Sequence, residues 1–277
     1  MGKVTFVEKL SKKIEDLKRY ISEKGSGGVV IAFSGGVDSA TLAALSKQVL
    51  GDRTVAVTAE SATFTEDELR HAKTTAQDIG IKHYITKTHE LEYEDFAANP
   101  PDRCYHCKRE MLKKLKQFAH QHGFAVVFDG TNLSDLEGHR PGFKAVQETK
   151  SVYSPLLEVG FTKNEVREVA RSLGLTVYDR PAQACLASRI PYHERITAER
   201  LKRLADAEKA IREIVAVKQL RVRDHNGLAR IEVGQLERAL FNSDVMDMVG
   251  VQLKRLGFKY VTLDLEGYRS GSMLQHV

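Results

Sequence analysis

Short apolar runs alternate with amphipathic segments of helical period along the first two thirds of the chain. The run at residues 29–33 is apolar throughout, which is typical of a strand buried on both faces of a parallel sheet. Strands are predicted at 29–33, 54–59, 81–86, 124–129 and 175–178, and helices at 4–24, 39–50, 66–79, 104–120 and 163–173. Because the two kinds of element alternate, the pattern predicts an α/β fold with a doubly wound parallel sheet.

The pattern changes near residue 190, where helices and strands no longer alternate one by one. The elements predicted beyond this point are a helix at 197–214, strands at 219–223 and 229–233, a helix at 236–256 and a strand at 260–265. Between the first two of these strands, Asn226-Gly227 is a strong hairpin signal. We therefore predict two domains, residues 1–190 with the parallel sheet and residues 191–277 as a smaller C-terminal α+β domain.

Composition narrows the class of protein. The 277 residues include 42 Lys and Arg against 37 Asp and Glu, a net charge of +5 that is spread without long blocks of one sign. This mild excess suits a small anionic partner and indicates no nucleic-acid arm. The small, odd number of three cysteines argues against a disulfide scaffold and for a reducing compartment. Since no signal peptide or run of membrane-spanning length is visible, we expect a cytoplasmic protein without a membrane partner.

The strongest chemical signal is the segment SGGVDS at residues 34–39, between a predicted buried strand and a predicted helix. Adjacent glycines let the backbone approach an anion, and a helix N-terminus offers free N–H groups and a positive dipole end. The carboxylate of Asp38 is available for Mg²⁺. The segment lacks the GxxxxGK[ST] pattern of a Walker loop. A pyrophosphate site of another kind is predicted, and the plain alternative is a helix capped by Asp38 or Ser39.

The three cysteines form a second signal. Cys104 and Cys107 make a CxxC pair at the start of a predicted helix, and Cys185 lies far beyond them near the end of the first predicted domain. Because all three are close to predicted strand ends, we expect them to converge. Three thiolates suit a 4Fe-4S cluster with one open iron. A zinc site completed by His106 or water, a redox pair, a sulfur-donating Cys185 and unconnected structural cysteines are the alternatives.

The segment at 34–39 resembles the SGGxDS signature of the PP-loop ATP pyrophosphatase family, whose fold is adenine nucleotide alpha hydrolase-like. The segment at 129–132, with Asp135, resembles the family's GTNxxD segment. The resemblance implies that Mg²⁺-ATP is cleaved between its α- and β-phosphates, that a substrate oxygen is adenylated, and that a nitrogen or sulfur nucleophile displaces AMP. The residues to which it assigns the ATP contacts are Ser34, Gly35, Gly36, Asp38, Ser39, Ala59, Asp129, Thr131 and Lys163.

Four further segments, at 140–142, 185–192, 221–223 and 267–271, resemble the LarE family of sulfur-inserting enzymes, which assemble the nickel-pincer nucleotide cofactor. This resemblance covers essentially the whole chain. It implies that a carboxylate of pyridinium-3,5-biscarboxylic acid mononucleotide is adenylated and converted to a thiocarboxylate, with Asp38 and Cys185 as catalytic residues. It also implies a homo-oligomer.

Members of this family differ in how they supply sulfur. Some sacrifice the cysteine at the position of Cys185, and those members lack the CxxC pair. Because this chain has Cys104 and Cys107, it resembles the cluster-bearing version, in which these two cysteines and Cys185 hold a 4Fe-4S cluster. The sulfur source (sulfide or a donor), the oligomer size and the number of carboxylates converted stay open, as does a sacrificial role for Cys185.

Arginines supply the candidate contacts to the substrate. Arg221 and Arg223 alternate on a predicted strand and so share one face. A guanidinium fork binds phosphate or carboxylate through two hydrogen bonds. With Arg189, Glu208 and Arg269, they are the predicted contacts to the mononucleotide's phosphate and carboxylates. The plain alternative is a solvated strand face with surface ion pairs.

Three other functions share parts of these motifs. A tRNA-thiolating enzyme uses the same loop and often the same cluster, but it usually adds an RNA-binding module or further zinc-binding CxxC pairs, which are not visible here. An ammonia-dependent amide synthetase would need no cysteines at the site. A nucleotide-binding module without activity would release no pyrophosphate.

Overall fold

A computed structural model of the chain describes residues 6–137, 140–181 and 184–269, which divide into two compact units. The first unit falls within Met1–Ser61, Glu66–Thr88 and Cys104–Ala182, and the second within Ala62–Thr65, His89–Arg103 and Gln183–Val277. The predicted division into domains 1–190 and 191–277 stays a prediction. In the described part of the chain, no helix combines the length and the apolar character that crossing a membrane requires.

The elements follow the sequence pattern closely in most places. The strands are β1 Val29–Ala32, β2 Thr54–Glu60, β3 Lys82–Lys87, β4 Val126–Phe128, β5 Val152–Tyr153, β6 Leu220–His225, β7 Leu228–Val233 and β8 Tyr260–Leu263. The helices are α1 Phe6–Lys24, α2 Val37–Leu50, α3 Glu66–Ile79, α4 Glu94–Ala97, α5 Arg103–Gln121, α6 Pro141–Glu148, α7 Pro155–Glu158, α8 Lys163–Ser172, α9 Ala198–Ile214 and α10 Ser243–Arg255.

The first unit is built on a parallel sheet with strand order β3-β2-β1-β4-β5. Alternate residues of its central strand face opposite cores. Ile31 packs with α1, α2 and α8 residues on one face, and Val30 packs with α5 residues such as Leu112 on the other. Full burial of each such side chain stabilises the fold by roughly 1.5–3 kcal/mol. The predicted α/β fold with a doubly wound parallel sheet is therefore confirmed.

The strand order also indicates where a ligand binds. The chain leaves β1 toward β2 on one side, whereas β4 lies on the other side of β1, so the winding direction reverses between β1 and β4. Ligands of open α/β sheets bind beyond the carboxyl ends of strands at such a point. The segments that follow β1 and β4 are residues 34–36 and 129–132, the two segments that the sequence singled out.

Two predicted elements differ from the structure. The strand predicted at 175–178 is wrong, because Thr176–Asp179 forms a 3-10 turn whose Val177 packs into the core beside α8. The fifth strand is instead the short β5, which pairs with β4. The helix predicted at 236–256 is interrupted, since Glu237–Leu240 is a 3-10 turn and α10 begins only at Ser243 with Asn242 as its N-cap.

The second unit contains a three-stranded sheet with the order β6-β7-β8, in which β6 and β7 are antiparallel and β7 and β8 parallel. Asn226 and Gly227 both have positive φ, 50° and 93°, as the predicted two-residue hairpin requires. The helix α9 buries Leu204, Ala207 and Ile211, one stripe of its surface. A small α+β sheet region at the C-terminal end is thus present as predicted.

Candidate active site

The phosphate loop, residues 34–39, is held in shape by its own two serines. Ser39 Oγ accepts a hydrogen bond from the Ser34 amide at 3.3 Å and donates to the Gly36 carbonyl at 3.1 Å. Ser34 Oγ lies 3.3 Å from Ser39 Oγ and accepts from the Gly36 amide at 3.3 Å. The hydroxyl groups are therefore hydrogen-bond partners of the loop backbone and hold the loop in this conformation.

The remaining amides of the loop are available for an anion. The first hydrogen bond within α2 runs from the Ala40 amide to the Gly36 carbonyl at 2.9 Å. The amides of Val37, Asp38 and Ser39 take no acceptor from the described residues, as expected in the first turn of a helix. Together with the positive end of the helix dipole, they form a site for a phosphate group.

Asp38 is held at this site by two side chains from elsewhere in the first unit. Asn132 Nδ2 donates to Asp38 Oδ1 at 3.0 Å, and the Lys163 ammonium pairs with Asp38 Oδ2. Burial raises the pKa of Asp38 above its ordinary value, whereas Lys163 and Asn132 act in the opposite direction. A half-buried carboxylate between a lysine and a row of amides suits a Mg²⁺ ion that accompanies a polyphosphate. Its assignment as a catalytic residue stays a prediction.

Two capped turns bring these partners to Asp38. Asn132 caps the 3-10 turn Leu133–Leu136, with Asp135 completing the capping box. Thr162 and Glu165 form the same box at the start of α8, and the Lys163 amide donates to Ser134 Oγ at 3.1 Å. The start of α8 is therefore fixed against the turn after β4. This explains how Lys163, distant in sequence, reaches the phosphate loop.

The segment after β4 also contains a buried ion pair. Asp129 is 3% exposed and accepts hydrogen bonds from the amide and hydroxyl of Thr131, while Lys108 of α5 pairs with its other oxygen. Burial alone would raise the pKa of Asp129, but Lys108 and Thr131 outweigh it and hold the pKa below its usual value. Since the hydrogen bonds of Asp129 and Thr131 described here are made within the protein, their predicted contacts to ATP stay predictions.

Backbone geometry matters at Gly130 and at Ala59, of which only Ala59 is a predicted ATP contact. A Cβ added to Gly130 would lie 3.2 Å from the Ser39 amide nitrogen, so the backbone after β4 lies directly against the phosphate loop. Ala59 is half-buried near the end of β2, where it pairs with Thr86 of β3. The methyl side chain of Ala59 makes no polar contact, so its predicted contact with ATP stays a prediction.

The cysteines lie on two elements. Cys104 and Cys107 occupy the first turn of α5, where residues three apart share a face, and Cys104 is exposed. Cys185, also exposed, precedes the 3-10 turn Leu186–Arg189 as its N-cap. The described residues contain no group of three or more Cys, His, Asp or Glu side chains arranged to hold a metal. The expected convergence of the three thiols stays a prediction.

An arginine cluster, Arg189, Arg221 and Arg223 with Glu208 and Glu232, lies within the second unit. The Arg189 guanidinium donates two hydrogen bonds to Glu208, from Nε to Oε1 at 2.9 Å and from Nη2 to Oε2 at 3.2 Å. It also donates to the Cys185 carbonyl at 3.1 Å. Arg189 is only 3% exposed, so it is an internal support of the turn that follows Cys185.

The two strand arginines differ in their surroundings. Arg223 pairs with the fully buried Glu232 at 2.7 Å and donates to the Ser188 carbonyl at 3.0 Å. Arg221 donates to the Leu220 carbonyl and lies 5.5 Å from the ring centroid of Tyr268. Burial lowers the pKa of Arg221, and repulsion from Arg189 lowers it further. The predicted contacts of Arg221 and Arg223 with a phosphate or carboxylate stay predictions.

Arg269 lies at the far end of a connected row of charges. Its guanidinium pairs with Glu266 and approaches Asp264 at 3.9 Å, and Asp264 lies 3.7 Å from Arg230. Arg230 in turn donates to Glu232 at 3.0 Å. Since its partners are acidic side chains, the predicted substrate contact of Arg269 stays a prediction. The neighbouring residues 270–271, which belong to one of the segments that indicated the family, lie outside the described residues.

Comparison with known proteins shows relatives over nearly the whole chain. Residues 9–113 match the NAD synthase family. An uncharacterised protein of Synechocystis is 43% identical over 265 residues, 95% of this chain and 97% of that one. The pyridinium-3,5-bisthiocarboxylic acid mononucleotide synthase of Lactiplantibacillus plantarum is 38% identical over 249 residues, 88% of each chain. The chain belongs to the LarE family of PP-loop ATP pyrophosphatases. An uncharacterised protein of Methanocaldococcus jannaschii is 30% identical over 267 residues, 96% of this chain and 100% of that one.

Membership of the LarE family makes this protein an enzyme of the ATP pyrophosphatase type that binds ATP and Mg²⁺. The match to the NAD synthase family includes the phosphate loop and ends within α5. The LarE relatives, in contrast, match nearly the whole chain. Membership thus supports a sulfurtransferase of the PP-loop type and not only a nucleotide-binding fold.

Sequence reasoning missed several residues of these LarE sites. The sequence does not single out Lys108 and Glu232, because their partners, Asp129 and Arg223, lie 21 and 9 residues away along the sequence and meet them only in the fold. Asn132 lay inside the GTN segment, yet its bond to Asp38 has no sequence signal of its own. The position of Lys108, four residues after Cys104 on the same helix, is the one spacing that could have drawn attention to it.

Proposed function

We propose that this protein adenylates a carboxylate of pyridinium-3,5-biscarboxylic acid mononucleotide and replaces AMP by sulfur, which yields a thiocarboxylate. The relative from Lactiplantibacillus plantarum is named for the corresponding bisthiocarboxylic acid mononucleotide. The observation that supports the proposal most is the combination of the phosphate loop with the arginine cluster. The first suits a nucleotide's pyrophosphate, and the second suits a further anionic ligand beside the Cys185 segment.

The first step uses the phosphate loop. A carboxylate oxygen of the mononucleotide attacks the α-phosphorus of ATP, the bond between that phosphorus and the bridging oxygen breaks, and pyrophosphate leaves with the electron pair. The free amides of Val37, Asp38 and Ser39 face the growing negative charge, where such donors stabilise it. Asp38 is proposed to hold Mg²⁺, which would neutralise phosphate charge when bound, and Lys163, its ion-pair partner, is proposed to contact a phosphate oxygen.

The second step requires a sulfur nucleophile. The sulfur attacks the carbonyl carbon of the acyl adenylate, the bond from that carbon to the AMP oxygen breaks, and AMP leaves. Cys185 is exposed, and its carbonyl accepts a hydrogen bond from Arg189, so we assign it a role in this step. It either donates sulfur itself or positions another donor, such as sulfide.

The substrate's anionic groups are assigned to the arginine cluster. Glu208 accepts from both Arg189 and the Val222 amide, so it locks one arginine to the strand that carries the other two. Arg221 and Arg223 then present their guanidinium groups from one face of β6. We assign them to the phosphate and Arg189 to the support of the cluster, with Arg269 as an outer contact.

A 4Fe-4S cluster held by Cys104, Cys107 and Cys185 is also part of the proposal. Cys104 and Cys107 share a face and could provide two ligands. However, no group of three metal-binding side chains is formed among the described residues. We therefore derive no step through a cluster. Anaerobic protein that holds iron and labile sulfide in a ratio near one, with both lost in Cys104→Ala, would establish it.

Other features of the proposal are coarser. We propose a homo-oligomer in the cytoplasm that takes a small-molecule substrate and sulfide or a sulfur donor, without nucleic acid. A protein that copurifies with RNA and thiolates it would point to a tRNA-thiolating enzyme. Binding of RNA that weakens steeply with salt would be the first sign of that alternative.

The decisive assay incubates anaerobically purified protein with ATP, Mg²⁺, the mononucleotide and sulfide. We expect pyrophosphate and AMP in equal amounts and a thiocarboxylate product, identified by mass spectrometry. Cys185→Ala should still release pyrophosphate while the thiocarboxylate is lost. If all three cysteine-to-alanine variants keep activity and ammonium gives an amide, the ammonia-dependent alternative is correct. If no pyrophosphate is released, the protein only binds nucleotide.

A further inference from the structure

A chain of hydrogen bonds connects strand β3 to the start of the phosphate loop. His83 of β3 lies with its Nε2 atom 2.8 Å from the Thr58 hydroxyl, and that hydroxyl lies 2.8 Å from the Phe33 carbonyl oxygen. Phe33 is the last residue before the loop, and its amide extends the ladder by donating to the Val57 carbonyl at 3.0 Å. Thr58 is 1% exposed, so water does not substitute for either partner.

The direction of each bond in this chain follows from counting protons. A carbonyl oxygen only accepts, so the single proton of the Thr58 hydroxyl is used on Phe33. The hydroxyl oxygen can then only accept from His83, which requires the proton of the imidazole to be on Nε2. Burial, with a contribution from Lys73, lowers the pKa of His83 and keeps the ring neutral at neutral pH.

Phe33, the last residue of this hydrogen-bond chain, sets the orientation of the peptide at which the phosphate loop begins. Directly after Phe33, the Ser34 amide donates to Ser39 Oγ, and Ser34 Oγ accepts from the Gly36 amide. A rotation of the peptide between residues 33 and 34 would disturb both bonds. The imidazole also packs edge-on against the Phe33 ring, with centroids 5.6 Å apart and planes at 66°. His83 thus fixes Phe33 through both its carbonyl and its side chain.

We propose that His83 is a positioning residue of the phosphate loop, which orients the Phe33 carbonyl through the Thr58 hydroxyl and so preorganises the loop for ATP. The residue contacts neither phosphate nor metal in this role. Its contribution is to keep the loop's free amides aligned before ATP arrives. The inference rests on the binding of ATP alone, so a protein that binds Mg²⁺-ATP normally but transfers no sulfur leaves it intact.

The test measures Mg²⁺-ATP affinity by calorimetry on the full chain. His83→Leu and Thr58→Val should each weaken binding about three- to tenfold, the range expected for one hydrogen bond. His83→Gln and Thr58→Ser keep a donor and a hydroxyl in place and should restore affinity to within about twofold. The double variant His83→Leu with Thr58→Val should bind no more weakly than either single variant, because both remove the same connection.

His122 provides the matched control, since its ring stacks on Phe118 at 4.0 Å in the same unit without a connection to the loop. His122→Leu should leave ATP affinity unchanged. Imidazole nitrogen NMR of the wild-type protein should show His83 as the neutral tautomer with its proton on Nε2. A proton on Nδ1, or a His83→Leu variant with lowered thermal stability but normal ATP affinity, would overturn the proposal.

Discussion

The phosphate loop of the first unit and the arginine cluster of the second use different groups to attract negative charge. The loop relies on backbone amides at the start of α2, and its one charged residue, Asp38, is negative. The cluster relies on guanidinium groups that are almost fully buried, with Arg189, Arg221 and Arg223 at 3%, 7% and 5% exposure. Each arrangement suits a different ligand.

Under the proposed function, this difference would keep the two ligands from competing for one site. A polyphosphate that arrives with Mg²⁺ needs a carboxylate for the metal as well as donors for its oxygens, and the loop supplies both. A phosphate or carboxylate without a metal is bound by guanidinium forks, and the carboxylates of the cluster only orient these forks. Substitutions in one site should therefore leave the affinity of the other ligand unchanged.

The largest expected effect is at Asp38. Asp38→Asn keeps the shape but removes the negative charge that would hold Mg²⁺, and a loss of several kcal/mol should lower pyrophosphate release about 100-fold or more. The KM for the mononucleotide should stay within about twofold of wild type, because the arginine cluster is intact. Asp52→Asn is the control, since Asp52 is exposed and pairs with Lys47 away from the phosphate loop. Equal losses in both variants would contradict the role of Asp38.

The second-largest expected effect is on the arginine cluster, where a substitution should change the KM for the mononucleotide but not the KM for ATP. Arg221→Lys keeps a positive charge but loses the planar fork, and a charge-assisted hydrogen bond is worth about 1.5–3 kcal/mol. We expect the KM for the mononucleotide to rise at least about tenfold, with the KM for ATP within about twofold. Arg212→Lys, an exposed position on α9, should change neither value. An equal rise in both KM values would show that the two sites are not independent.

A smaller effect concerns the shape of the loop. Gly35 has a φ of +73°, and an added Cβ would lie 2.7 Å from the Ala72 Cα atom. Gly174 has a similar φ of +69° with open space around it. Gly174→Ala should cost about 1–2 kcal/mol from backbone strain alone. Gly35→Ala adds the clash, about 1–3 kcal/mol more, and should weaken ATP binding as well. Urea unfolding of both variants measures the difference, and equal losses would exclude the close packing of the loop on α3.

The smallest effect is a shift in pH dependence. Since burial raises the pKa of Asp38 above 3.8, the carboxyl gains its proton at a higher pH than an ordinary aspartate as the pH falls. The acid limb of kcat/KM for ATP should therefore lie above pH 3.8. Lys163 lowers this pKa, so Lys163→Met should move the limb to still higher pH. Lys47→Met should leave it in place, and a limb that moves to lower pH in Lys163→Met would refute the assignment.

The same two sites differ in how far the sequence predicts them. The phosphate loop depends on six consecutive residues, so its glycines and its position after a buried strand indicate its function directly. Asp38 could be named as a metal ligand, but its partners Asn132 and Lys163 come together only when β4 and α8 reach it. The motif thus predicts the groups that would contact ATP and Mg²⁺. The side chains that orient Asp38 come from distant segments and are known only from the fold.

The arginine cluster was predicted only in outline. The alternation of Arg221 and Arg223 indicates a shared face, but nothing local reveals that Glu208 and Glu232 are buried beside them. The strand β5 is also not predicted by the sequence. Its two residues are too few to show an alternating pattern, and they form a strand because they pair with the edge of β4. The apolar residues at 175–178 resembled a strand because burial beside α8 produces the same pattern.

The account's central claim is that a carboxylate of the mononucleotide becomes the acyl adenylate from which sulfur displaces AMP. The most direct measurement supplies a mononucleotide whose carboxylates are labelled with ¹⁸O, together with unlabelled ATP, Mg²⁺ and sulfide. Because the attacking carboxylate oxygen departs with AMP, we predict one ¹⁸O in the phosphate of each AMP released and none in pyrophosphate. AMP without the label, or label in pyrophosphate, would contradict the account.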